Sequence, residues 1–373
     1  MKWCIKSCAM LAISPLLLDI LKKYAIASPK SGELGFISKK EAMFYTKLSS
    51  DTLQCNLCPR ACTIKSGGRG FCRARQEENG KYYSYVYGNP TAVHVDPIEK
   101  KPLFHFLPGT AAFSLATAGC NFRCKFCQNW QISQSPPEQS VNYYLPPDGV
   151  VSAAKENNCK TIAYTYTEPT VFFEYMLDTS RIARKNGLKN MYHSNGFINQ
   201  EPLQELCKYL DGANIDLKYF SRELYNEISE GNIGPVLKTL VTLKKNKVHL
   251  EITNLIVPAI NDNMGKIREM CDWIKTELGK EIPLHFSRFY PLYKLENLVP
   301  TPVATLEKAR DTALSSGLQY VYIGNIPTDV AENTYCPKCR KLLIKREGYQ
   351  IMQNNIISGK CKYCSAKIYG VWN

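Results

Sequence analysis

Cys120, Cys124 and Cys127 stand three and then two residues apart in the run Gly119-Cys120-Asn121-Phe122-Arg123-Cys124-Lys125-Phe126-Cys127, directly after an apolar, strand-like stretch from Ala111 to Ala118. Three thiolates on one short loop can hold three irons of a [4Fe–4S] cube and leave the fourth iron without a protein ligand. A cluster held by four cysteines mainly passes electrons. An iron left open can bind and activate a small molecule. A closed structural zinc site is the other chemistry for such a loop, but it needs four ligands, and the sequence nearby supplies no fourth.

Two further cysteine sets flank this loop. The first is Cys55-x2-Cys58-x3-Cys62-x9-Cys72, with Gly67, Gly68 and Gly70 allowing a tight return that brings Cys72 beside the others. Four thiolates suit tetrahedral zinc or a second, fully ligated [4Fe–4S] cluster, and spacing does not separate the two. A cluster here could relay electrons to the catalytic one. The second set is Cys336-Pro337-Lys338-Cys339, 21 residues, then Cys361-Lys362-Tyr363-Cys364. Two such knuckles joined by a hairpin-length insert are a zinc-ribbon pattern. Strands are expected over 342–345 and 349–353, with Gly348 between them. Cys4, Cys8, Cys159, Cys207 and Cys271 lack such company and read as core filler.

The elements that must position these loops follow a clear alternation. Strands are expected over 113–117, 161–166, 190–193, 213–217, 249–257, 283–289 and 320–323. Helices are expected between them, over 149–157, 171–186, 202–209, 236–245, 264–278 and 302–315. Alternation at this spacing predicts an α/β fold of parallel βα units, with helices covering the sheet. Four regions follow: an N-terminal segment (1–50), a Cys4 metal-binding region (51–110), the βα body (111–330) and a zinc-ribbon-like end (331–373). Chemistry in such folds collects at the carboxyl ends of the strands. There stand Glu168 in Thr167-Glu168-Pro169, Ser194 and Asn195 in His193-Ser194-Asn195-Gly196, and Asp216 and Lys218 in Asn214-Ile215-Asp216-Leu217-Lys218. Each has a plainer reading: a carboxylate offsetting a helix dipole, ordinary turn residues, and a structural salt bridge. His285 and Arg288, on opposite faces of the sixth expected strand, are weaker candidates for touching a substrate.

The cysteine loop, with aromatic Phe126 just before the last cysteine, resembles the signature of the radical SAM superfamily. The resemblance implies S-adenosylmethionine bound to the open iron and reductively cleaved to methionine and a 5′-deoxyadenosyl radical that abstracts hydrogen. It implies that Glu168 holds the methionine ammonium, that Ser194 and Asn195 serve the ribose or carboxylate, and that Phe126 packs at the cofactor. The pair Asp216 and Lys218 resembles the Asp-x-Lys element of glycyl-radical activating enzymes. The cysteine sets at both ends, Phe286-Ser287-Arg288-Phe289-Tyr290-Pro291 and the motifs above together resemble the AmmeMemoRadiSam system radical SAM enzymes, relatives of the pyruvate formate-lyase-activating enzymes. That likeness spans about Cys55 to Trp372. It implies a partial (β/α) barrel, oxidoreductase or activase-like chemistry, a reduced ferredoxin- or flavodoxin-type electron donor, a protein or peptide-like substrate, and AMMECR1-type and Memo-type partners.

Composition bounds the rest. Of the 373 residues, 45% are hydrophobic and 21% charged, as in a folded soluble protein. Sixteen cysteines, mostly in metal-type spacings, point to a reducing compartment rather than a disulfide scaffold. The formal charge of +14 leaves out metal-bound thiolates. Two four-thiolate sites and one three-thiolate cluster remove about five charges, leaving about +9, moderate and spread along the chain. Nothing in it indicates nucleic acid. The apolar run from Cys8 to Leu18 is far shorter than the roughly 20 residues a membrane span needs, so a cytoplasmic enzyme is expected, with export through an N-terminal signal as the minority alternative. A glycyl-radical activase, an RNA-modifying radical enzyme and a non-catalytic iron–sulfur and zinc electron-transfer protein stay open as other functions.

Overall fold

A computed structural model describes residues 31–326 and 331–373. The amphipathic segment expected at 1–27, with Cys4 and Cys8, lies outside the described residues. Eight strands form one sheet in strict chain order: Ala92–Pro97, Ala111–Ala116, Thr161–Tyr164, Lys189–Ser194, Gly212–Asp216, His249–Ile256, Leu284–Arg288 and Val321–Gly324. The first pair is antiparallel and every later pair is parallel. A sheet wound in chain order through right-handed crossovers puts every crossover helix on one face. The other face is left for polar groups. Register aligns Asp216 with Thr253, Thr253 with His285 and His285 with Tyr322, while one step lower Asn214 lies beside Glu251.

Helices Pro147–Glu156, Phe173–Lys185, Gln200–Cys207, Ile233–Lys245, Met264–Trp273 and Val303–Ser315 fall where the periodicity predicts them. Two details differ from the expectation. The fifth expected helix ends at Trp273 and continues as a π-type turn, Ile274–Leu278. An additional helix, Arg222–Ser229, is capped by Ser221, whose hydroxyl accepts from the Leu224 amide at 3.2 Å. It is eight residues long and buries only Tyr225, Ile228 and Ser229, an amphipathic run short enough to pass for a loop between two elements. The edge strand Ala92–Pro97 was likewise not expected. It pairs with the next strand across a long connection, residues 98–110, and Pro97 ends it.

Two three-stranded antiparallel sheets precede the main sheet, one joining Lys40–Glu41, Lys81–Ser84 and Arg75–Glu78, the other Tyr45–Lys47, Thr52–Cys55 and Thr63–Lys65. A buried ion pair fastens them to the body. Arg75 and Glu174 are each 1% exposed, 2.8 Å apart, and Glu174 also accepts from the Met43 amide at 2.7 Å. Breaking such a pair from one side costs about 3–5 kcal/mol, because the remaining charge stays buried.

At the other end, Leu342–Glu347 and Gln350–Asn354 form the expected hairpin. Arg346, wholly buried, packs over the Phe104 ring at 4.2 Å and donates to the Phe104 carbonyl at 2.7 Å. Phe104 in turn belongs to the hairpin's own apolar cluster with Tyr320, Tyr322, Leu343 and Ile344. The hairpin is therefore fixed to the sheet rather than hung beside it.

Candidate active site and metal centres

The loop carrying Cys120, Cys124 and Cys127 is tied down along its length. Gly119 donates to the Ile132 carbonyl at 2.9 Å, Arg123 to Ser229 at 3.0 Å and Lys125 to Ile228 at 2.9 Å, so the unexpected helix serves as an anchor for the cysteine loop. Gly119 has φ +97°, and a Cβ there would lie 2.5 Å from the Cys72 carbonyl oxygen. Only glycine satisfies both conditions. Burial raises the thiols of Cys120, Cys124 and Cys127 above their ordinary value. A metal must therefore displace their protons. Phe126 is buried and meets Tyr219 edge-on at 6.2 Å.

Spacing between sulfurs separates the three cysteine sets. At the C-terminal end Cys336 and Cys364 lie 3.6 Å apart and Cys339 and Cys361 3.7 Å apart, and all four close to within 4.8 Å of one another. Four sulfurs at about 2.3 Å from one zinc stand about 3.8 Å from each other, the edge of a tetrahedron. The set fits a single tetrahedral ion. Among the described residues no other group of three or more histidine, cysteine or acidic side chains closes that far. Cys120, Cys124 and Cys127 are soft thiolates held wider than a single ion needs, on one buried loop, which suits a multi-iron cluster.

The strand-end residues converge beside this loop. Asn195 donates from Nδ2 to Asn121 Oδ1 at 2.8 Å, and the same nitrogen lies 4.0 Å from Cys120 Sγ. Lys218 Nζ bonds Asp216 Oδ2 at 2.8 Å and stands 5.6 Å from the Phe126 ring centroid. Burial works against the Asp216 charge, but Lys218 and His193 outweigh it and hold the carboxyl well below the usual range. Burial likewise disfavours the Lys218 charge, and Asp216 more than restores it. His193 Nε2 meets Asp216 Oδ1 at 3.2 Å. This histidine is absent from the residues singled out by sequence. Strand alternation, which puts His193 on the face of Asn195, is the signal that could have found it.

Glu168 has a different surrounding from the one expected. It is 1% exposed, and its carboxylate accepts from the Thr170 amide (3.0 Å), the Thr170 hydroxyl (2.6 Å), the Ser194 hydroxyl (2.7 Å) and the Asn195 amide (2.9 Å). Three of these bonds fall on Oε1 and one on Oε2, so Oε2 keeps a lone pair free for an ammonium group. Ser194 is committed, donating to Glu168 and accepting from the Gly196 amide at 3.0 Å. Glu168 thus joins two strand ends and fixes the turn that carries Asn195.

Farther along the same sheet face lies a cavity of about 400 Å³, walled by Pro102, Phe104, Thr253, His285, Ser287 and Tyr349, among others. His285 donates from Nε2 to the Glu251 carboxylate at 2.7 Å, so it lines the cavity while being held from behind. Glu251 is wholly buried and also takes the amides of Phe104 (3.1 Å) and His105 (2.7 Å) and the His249 ring at 3.0 Å. Arg288 turns elsewhere, to the Thr301 carbonyl at 2.8 Å. Register connects cavity and cysteine loop: Asp216, Thr253 and His285 are lateral neighbours on adjacent strands, spaced about 4.8 Å apart. Among the described residues no helix is long and apolar enough to cross a membrane.

The sequence profile described as the radical SAM superfamily matches residues 114–274, from the strand before the cysteine loop to the fifth crossover helix. The uncharacterized protein MJ0808 of Methanocaldococcus jannaschii is 48% identical over 331 residues, covering 88% of this chain and 98% of that protein. A second protein of that organism, the uncharacterized MJ0674, is 24% identical over 279 residues, 72% of this chain and 76% of its own length. The (2S)-3-sulfopropanediol dehydratase activating enzyme of Klebsiella oxytoca is 24% identical over 115 residues, 31% of this chain and 36% of that enzyme. The chemistry that goes with the matched region is cleavage of S-adenosylmethionine at an iron–sulfur cluster to give a radical. Cysteine loop, strand-end residues and matched region coincide, and the chain belongs to the radical SAM superfamily.

Proposed function

We propose that the enzyme uses this radical to take a hydrogen atom from a protein or peptide-like substrate seated in the cavity farther along the sheet face from the cysteine loop, the sheet forming the partial (β/α) barrel expected. Cys120, Cys124 and Cys127 would hold the cluster, whose open iron supplies the site for S-adenosylmethionine when loaded. Asn195 stands at the sulfur of Cys120. Asp216, Lys218 and His193 form a charged group at the side of the loop that faces the cavity row, suited to the polar ends of the bound cofactor. Glu168 would hold the methionine ammonium through Oε2 while also positioning Asn195. The buried surroundings keep water from a reactive carbon radical. The observation that carries this reading is one continuous sheet face. It runs from the cysteine loop through Asp216 and Thr253 to His285 in the cavity wall.

The cysteine sets at both ends favour the AmmeMemoRadiSam group, with AMMECR1-type and Memo-type proteins as partners, a flavodoxin- or ferredoxin-type donor and a cytoplasmic setting. The partial match to an activating enzyme favours glycyl-radical activation as the second reading. The test is anaerobic reconstitution with iron and sulfide, reduction, and chromatographic assay of 5′-deoxyadenosine. Wild type should form it and Cys124→Ala should not. Cleavage retained in Cys124→Ala would remove the ligand assignment. A glycine-centred radical signal on an added partner would replace the first reading by the second.

A further inference from the structure

We propose that Cys55, Cys58, Cys62 and Cys72 hold a second, fully ligated [4Fe–4S] cluster that serves the open one as an electron relay, with Tyr82 and Arg75 as its hydrogen-bond donors. Three observations lead there. The first is internal comparison of sulfur spacing. The C-terminal four draw together to the distances of a single tetrahedral ion, and the N-terminal four, like the Cys120 loop, do not. Ligands arranged around a cube must stand farther apart than ligands around one ion.

The second is a pair of buried donors without acceptors. Tyr82 is wholly buried and its hydroxyl has no partner. A Cβ on Gly70 would sit 2.7 Å from that hydroxyl and 3.7 Å from Cys72 Sγ, which places the hydroxyl beside a ligand sulfur. Arg75 is 1% exposed. Its terminal nitrogens go to Glu174 and the Met43 carbonyl, while Nε has no partner. Each orphaned donor destabilises the fold unless an acceptor arrives. Both lie close enough to Cys55 to interact with it electrostatically. Cluster sulfurs carrying negative charge are the acceptors that this pocket lacks, and such bonds tune cluster potential.

The third is contact with the open site. The Cys72 carbonyl packs on Gly119, the residue before Cys120. Arg60 and Arg123 both lie over the Phe71 ring, at 3.5 and 3.8 Å, and reach across to the carbonyls of Asn121 (2.6 Å) and Cys120 (3.0 Å). One electron from a flavodoxin- or ferredoxin-class carrier would reduce the four-cysteine cluster and pass to the open one, with no bond made or broken and no proton moved. The relay rests on the radical reading; the cluster assignment does not.

The test is metal and sulfide analysis of the full chain reconstituted anaerobically with iron, sulfide and zinc together. About eight irons, eight sulfides and one zinc per chain are expected, falling to about four irons in Cys124→Ala and in Cys58→Ala/Cys62→Ala. Wild type with about four irons and two zincs, or four irons and one zinc, overturns the assignment even if both variants fail to fold. In Tyr82→Phe the iron count should hold while the second cluster's midpoint potential moves; an unmoved potential removes Tyr82 as its donor. With about eight irons, a spectrum indifferent to S-adenosylmethionine would sink the radical reading and leave the second cluster standing. Conversely, equal reduction of the open cluster by flavodoxin in wild type and in Cys58→Ala/Cys62→Ala would sink only the relay.

Discussion

Replacing Asp216 by Asn should destabilise the protein by about 2 kcal/mol, and adding Lys218→Met should recover more than half of that. The side chain of Lys218 is 11% exposed and that of Asp216 29%, with 2.8 Å between Nζ and Oδ2. Breaking a fully buried pair from one side costs about 3–5 kcal/mol, whereas an exposed pair is worth at most about 1. Asp216 is partly open and Asn keeps one acceptor for Lys218, so the loss falls between these limits. About 2 kcal/mol is a factor of roughly 30 in the folding equilibrium. The penalty comes from an ammonium stranded in a dry site, so a methionine of similar reach should remove most of it. Urea titrations of wild type, both single variants and the double variant, all with equal metal content, give the coupling directly. Asp216→Asn within 0.5 kcal/mol of wild type, or a double variant costing the sum of the singles, would refute the reasoning.

Glu168→Gln presents an amide NH₂ to a pocket of four donors, so one of them must lose its acceptor; about 1–3 kcal/mol of stability should go, before any cofactor is added. An unchanged urea midpoint with weakened S-adenosylmethionine binding alone would show that the carboxylate serves the ammonium group and not the turn. His105 gives a pH test. Burial lowers its pKa to about 3, and its neutral ring donates from Nδ1 to the Tyr369 carbonyl and accepts at Nε2 from Tyr322. The unfolded chain binds the proton near pH 6.5, so this contribution is complete above that value and drains as pH falls toward 3. About 2 kcal/mol should be lost between pH 6.5 and 5 in zinc-loaded, cluster-free protein, and His105→Gln should flatten that slope. Removing zinc with a chelator should expose 334–372 to protease while leaving the main sheet's circular dichroism intact; simultaneous loss of both would show the hairpin and sheet to be one cooperative unit.

The parallel strands and their helices were legible because each is a run of buried residues closed by its own turn chemistry. The strand Thr161–Tyr164 is buried at every position, and Gly187 and Gly317 follow helix ends at positive φ. The cysteine loop and the zinc knuckles were legible because ligand spacing is local. What the sequence hid is non-local. Nothing near Glu168 announces that Ser194 and Asn195, 26 and 27 residues on, will donate to it. Nor does the sequence around Arg75 show that Glu174 will meet it from the second crossover helix, or that Arg60 and Arg123 will converge on Phe71. The edge strand Ala92–Pro97 was hidden differently: it lies outside the βα alternation that revealed the others.

The C-terminal four-cysteine metal site also bears on the chemistry along the sheet. Cys336 and Cys361 sit in one apolar cluster with Leu343, Ile344 and Phe104. Phe104 is held on its carbonyl by Arg346 and on its amide by Glu251. Glu251 holds His285, which lines the cavity together with Phe104 and with Tyr349 from the hairpin itself. Every link in that chain is buried except the last, and a close-packed interior passes displacement on instead of absorbing it. A metal that folds the hairpin therefore also sets one wall of the cavity and the ring position of His285. On this reasoning the two ends of the chain divide one task around the sheet: the N-terminal cysteines reach the cluster loop from the side of Gly119, and the C-terminal cysteines shape the cavity proposed above to seat the substrate.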